Sequence, residues 1–135
     1  MGLSSRFPAL IVPMETEAVV SDGMVVVVGS ANNKCTLPGG ASPTTSLLGV
    51  VYRPDGSSAA IGDTVDVCVL GIYPVIAAGS VSRKNLMTSG GTDGTAIAES
   101  ASAGTNVAVL GQAIEDGSSG DRVATIINPF IKQGG

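Results

Sequence analysis

The chain has 135 residues, a formal net charge of −4, 13% charged residues, and no histidine. That length suits one domain able to bury roughly two-thirds of its unfolded-state surface, and its few, scattered basic residues exclude a surface that wraps nucleic acid. The missing histidine removes His-based catalysis and most metal sites, and no run approaches the ~20 apolar residues of a membrane-spanning helix.

The first zone, residues 1–17, is an apolar lead-in in which Pro8 and Pro13 keep Arg6-Phe7-Pro8-Ala9-Leu10-Ile11-Val12-Pro13 extended. Its start lacks the charged and apolar regions of a secretion signal, and Arg6 stands where a myristoylation pattern needs Ser or Thr. Synthesis in the cytoplasm is the expectation. The lead-in reads as an extended N-terminal arm, with residues 18–135 as a single β domain. Val25 to Val28 is a β-branched run closed by Gly29, predicting a buried strand. Val65, Val67 and Val69 alternate with Thr64, Asp66 and Cys68, the period-2 pattern of a half-buried strand. Ala96 to Ala103 suits either two helical turns or a loose strand. Val107 to Leu110 reads as a strand buried on both faces. Asp-Gly pairs at 22–23, 55–56, 93–94 and 116–117 mark turns. Aromatics are only 3% of residues, so the core must be built from Val, Ile, Leu and Ala.

Two halves of the chain, about 22–79 and 84–134, repeat one another. Leu48-Gly49-Val50-Val51, Asp55-Gly56-Ser57-Ser58 and Gly62-Asp63-Thr64-Val65 are matched by Leu110-Gly111-Gln112-Ala113, Asp116-Gly117-Ser118-Ser119 and Gly120-Asp121-Arg122-Val123. Both halves end alike, in Ile72-Tyr73-Pro74-Val75-Ile76 and Ile127-Asn128-Pro129-Phe130-Ile131. Matched blocks in one order mean a duplicated unit. The expected fold is all-β: a small β-barrel or sandwich built from two similar units. Gly62, Asp63, Gly120 and Asp121 are expected to form structural turns, the glycine turning the chain and the carboxylate capping exposed N–H groups.

Motifs for chemistry are absent from the sequence. It holds no phosphate-binding G-x-x-x-x-G-K-[ST] or G-x-G-x-x-G pattern and no S-x-x-K. Gly90-Gly91-Thr92-Asp93-Gly94 has the composition of a calcium-binding β-roll turn in the wrong order and reads as a loop. Lys84 lacks the flanking residues of a lipoyl or biotin attachment site. Cys35 and Cys68 are too few for a zinc site and suit core positions or a single disulfide. Glu15, Glu17, Glu99 and Glu115 are expected to be solvated. No catalytic residue, cofactor or metal is expected, and the chain is not expected to be an enzyme.

The segments LLGVVYRPDGSSAAIGDTVDVCVLGIYPV and GTNVAVLGQAIEDGSSGDRVATIINP resemble the capsid decoration, or cement, proteins of tailed bacteriophages. The resemblance lies in a Gly-bearing strand followed by a GD-x-V-x-V turn and strand, and it covers about residues 18–131. It implies a homotrimer on the outer capsid surface of the virion, bridging major capsid protein subunits of the expanded head. Low charge and abundant Val and Ala suit burial between subunits. Phe7, Leu10, Ile11 and Val12 are the expected partner-binding residues, attaching the lead-in to the capsid or an adjacent protomer. Another virion or surface β module, such as a fibre-base or carbohydrate-binding domain, is the alternative.

Overall fold

A computed structural model describes residues 6–100 and 104–133. Within them the chain forms the strands β1 (Phe7–Thr16), β2 (Val25–Val28), β3 (Lys34–Thr36), β4 (Gly49–Tyr52), β5 (Thr64–Ile76), β6 (Leu86–Ser89), β7 (Ala96–Ala98), β8 (Val107–Ala113) and β9 (Arg122–Lys132). The described residues contain no helix, and the all-β expectation holds. Ala96–Ala98 is a strand, Glu99 and Ser100 follow it outside any strand, and residues 101–103 of the ambiguous Ala-Ser segment lie outside the described residues.

The sheet curls into two small rings that share its longest strand. In the first, β1 pairs with β3, β3 with β2, β2 with β4, and β4 with β5, while β5 returns to pair with β1 along its length. In the second, the C-terminal half of β5 pairs with β9, followed by β8, β6 and β7. A parallel bridge from Ala96 back to Ala77 closes it. Rings this narrow are filled by their own side chains. Val20, Val26, Cys35, Val51, Ala59, Val65 and Val67 fill the first. Tyr73, Val75, Met87, Leu110, Val123 and Ile127 belong to a second cluster that Val25, Val50 and Cys68 join from the first ring's strands, so the two rings share a packed seam.

The duplication is visible bond by bond. Gly62 N–H donates to the Thr16 carbonyl at 2.9 Å and Gly120 N–H to that of Ala77 at 2.7 Å. The bridge Val20–Ala59 has its counterpart in Val81–Gly117. The repeated Leu-Gly pair has one cause in both units: a Cβ on Gly49 would overlap the Cys68 carbonyl oxygen, and one on Gly111 the Ile126 carbonyl oxygen. Only a glycine lets these strands lie so close.

The lead-in differs from the expected separate arm, because residues 7–16 are a strand of the same sheet. Ile11, Val12 and Pro13 face Cys68, Val67 and Asp66, in the register by which Ile72, Tyr73 and Pro74 face Ile126, Thr125 and Ala124. Ile-x-Pro therefore occurs in β1, β5 and β9, and the first repeat begins in the lead-in. Prolines are tolerated there because β3 borders β1 only at Glu15 and Thr16, leaving most of it an edge. Val28, expected in a buried strand, is 62% exposed at the end of β2, where the strand leaves the ring.

Candidate interaction surface

A band of apolar side chains crosses the outer face of both rings. Residues directly opposite one another on paired strands share a face, so Phe7 on β1, Ile72 on β5 and Ile126 on β9 form one row. Leu10 and Leu70, also paired, lie beside it. Phe130 extends the band along β9, beyond Asn128 on the same face. Phe7 is 55% exposed, Leu10 48%, Phe130 43% and Leu70 42%. Both phenylalanines of the chain thus point to solvent on one surface, and all six band side chains are apolar. Other exposed apolar side chains, among them Ile61 at 68% and Val19 at 57%, stand apart from this band.

At one end the band dips into a shallow groove of about 190 Å³ lined by Leu86, Gly111, Gln112, Ile126, Asn128 and Phe130. Gly111 contributes no side chain to it, for the backbone reason given above, and the amides of Gln112 and Asn128 supply its polar groups. At the other end stand Phe7 and Leu10. Of the expected partner-binding residues, these two belong to the band. Ile11 and Val12 are half-buried and lie opposite the buried Cys68 and Val67 of the first ring.

A buried ionic node fixes the end of β1 that carries Phe7. Asp22, its side chain only 2% exposed, accepts hydrogen bonds from Arg6 at 3.0 Å, the Tyr73 hydroxyl at 2.6 Å, the Arg53 backbone N–H at 2.8 Å and Arg122 at 3.3 Å. The Arg6 guanidinium also sits 5.6 Å from the centre of the Tyr73 ring, within cation–π range. Burial alone would push the Asp22 carboxyl up; the bonds from Tyr73, Arg53 and Arg6 outweigh it and hold it below the ordinary aspartate value. Burial, then the bond to Asp22, raises the Tyr73 phenol well above the usual tyrosine range. In the sequence Asp22 shows only as the first residue of an Asp-Gly turn.

Gly62 and Gly120 take φ of +95° and +90°. The carboxylate of Asp63 accepts from Ala60 N–H, and that of Asp121 from Ser118 N–H, each at 2.9 Å. These groups close turns and lie apart from the apolar band. Glu99 departs from the expected solvated role: its side chain is 5% exposed and receives the Lys132 ammonium at 2.8 Å. A second groove, about 260 Å³, is lined by Tyr52, Arg53, Pro54, Asp55, Thr64 and Asp66; there Asp55 and Arg53 are engaged with Ser57. Among the described residues no cluster of three His, Cys, Asp or Glu side chains is placed to hold a metal. Cys35 and Cys68 are free thiols buried in different core clusters.

No family model and no curated protein matches the chain. Its fold is similar to that of the N base of head fiber gp8.5 from bacteriophage phi29, with a TM-score of 0.65 at 20% sequence identity. The likeness spans 88% of this chain and 93% of that one. At this identity the likeness is one of fold alone.

Proposed function

We propose that this chain is a non-enzymatic structural protein of a phage virion that decorates the outer surface of the expanded head as a homotrimer and bridges major capsid subunits. The observation that carries the reading is the fold likeness to a phage head-fibre base over nearly the full length of both chains, which agrees with the duplicated GD-x-V pattern. The exposed apolar band gives such a protein a surface with which to bind. Affinity for a site that only the expanded lattice forms stabilises that lattice by mass action.

A second reading is favoured by the same likeness: the chain is itself the base of a fibre, seated on the head but carrying a further structure rather than clamping subunits together. Electron cryomicroscopy of expanded heads with and without the added protein separates the two. The decoration reading predicts added density at many equivalent positions, each touching more than one capsid subunit. Density confined to a few sites, each on one subunit, would favour the fibre base. No added density would count against both.

A further inference from the structure

We infer that the proline of the Ile-x-Pro motif guards open sheet edges, and that Pro13 keeps the unpaired side of β1 from taking up a strand of another chain. The inference does not rest on the function proposed above, and its failure would leave that reading standing.

Hydrogen bonds fix which way Pro13 faces. Alternate residues of a strand direct their backbone groups to the same neighbour. Glu17 N–H donates to the Cys35 carbonyl at 2.8 Å and Glu15 N–H to that of Asn33 at 3.1 Å, both on the β3 side. Thr16 N–H donates the other way, to the Asp63 carbonyl at 2.9 Å, at the entry to β5. Pro13 is next in the series after Glu17 and Glu15, so its nitrogen lies on the β3 side, where β3 has already ended. Among the described residues no strand borders Phe7–Met14 on that side. A proline nitrogen carries no hydrogen, so the first position at which a further strand can line up along β1 offers it no donor.

The same placement recurs at each copy of the motif. Pro13 stands two residues from Glu15, where the pairing of β1 with β3 ends. Pro74 stands two residues past Ile72, where the pairing of β5 with β1 ends, and Pro129 two residues past Ile127, where the pairing of β9 with β5 ends. Each time the proline follows the loss of a neighbouring strand. On β1 the need is greatest. Phe7–Met14 carries no charge, and Ala9, Leu10, Ile11 and Val12 are exposed or half-buried. Charged side chains and prolines are the usual protection of such an edge, and here only Pro8 and Pro13 supply it. Uncharged, proline-free segments of about six strand-forming residues stack into cross-β assemblies. With Pro13 replaced by an apolar residue, Ala9 to Met14 becomes such a segment.

Two variants at this one position provide the test. Pro13→Val restores the edge N–H and removes the guard; Pro13→Lys restores the N–H but puts a charge in the guard's place. Pro13 is exposed, and circular dichroism checks that freshly prepared variants keep the native fold. Each protein is then concentrated and incubated, and sedimentable protein and thioflavin T fluorescence are read. Neither readout responds to a closed oligomer such as a trimer. The guard predicts that Pro13→Val loses soluble protein and gains fluorescence, while wild type and Pro13→Lys do neither. A Pro13→Val protein as soluble and as dark as wild type would overturn the inference. So would equal losses from Pro13→Val and Pro13→Lys, or a failure of both to fold, because proline would then be shaping the strand rather than protecting its edge.

Discussion

The Tyr73 hydroxyl donates a 2.6 Å hydrogen bond to Asp22, a residue 51 positions earlier in the chain. Tyr73 lies in the strand that both rings share, and Asp22 in the connection between β1 and β2. With Arg6 ahead of β1 and Arg122 at the start of β9, the bond belongs to one node that ties the first ring, the second ring and the lead-in together.

Asp22→Asn should therefore destabilise the fold by about 2 kcal/mol, less than a fully buried ion pair would lose because both arginines are partly solvated. Urea unfolding measures it. The carboxyl is held below its unfolded value of about 3.9. Its contribution is accordingly complete above that pH and is lost as pH falls through the lower, folded-state value. The wild type should lose stability on acidification through this window, and Asp22→Asn should show a shallower acid limb. Parallel acid limbs would contradict this role for Asp22.

The shared strand and the packed seam predict a single unfolding unit. Leu110→Ala, in the second ring, should cost about 3 kcal/mol through lost burial and the cavity it leaves. Burial pushes the thiols of Cys35 and Cys68 up, so both should resist a thiol reagent in the native state. In the Leu110→Ala variant they should become reactive together, at the denaturant concentration where circular dichroism is lost. Separate transitions would mean that the rings unfold independently.

Gly111→Ala should prevent normal folding, because the added Cβ meets the Ile126 carbonyl oxygen in the adjacent strand. Gly79→Ala, with nothing within 4 Å of its Cβ, is the control and should stay within about 0.5 kcal/mol of wild type. Soluble yield and melting temperature report the contrast.

Asp63→Ala and Asp121→Ala each remove one carboxylate-to-backbone hydrogen bond from equivalent turns. Each should cost about 1 kcal/mol. The sites lie in different rings, so the double variant should lose close to the sum of the two. A much larger loss in the double variant would mean that the turns are coupled.

Much of this architecture is legible in the sequence because strands write a short-range signal. The alternation around Val65, Val67 and Val69 and the paired Leu-Gly and Gly-Asp blocks are local patterns, and the turns and repeats follow from them. The lead-in is harder to read. Its two prolines suggest a chain outside any sheet, and its kinship with Ile72-Tyr73-Pro74 shows only when the register with β5 is known. Asp22 looks like any Asp-Gly turn because its partners, Arg6, Arg53, Tyr73 and Arg122, come from four separate segments. Glu99 is similar: Lys132, which pairs with it, is 33 residues away. Phe7 and Leu10 are legible as apolar residues of the lead-in, but the groove at the far end of their band forms only when β6, β8 and β9 come together.

Co-sedimentation of the purified protein with expanded and unexpanded phage heads, with the mass of the unbound fraction read by light scattering, tests the central claim most directly. The account predicts saturable binding to expanded heads alone, from a trimeric free pool. Absence of binding to either form, with a monomeric free pool, would contradict it.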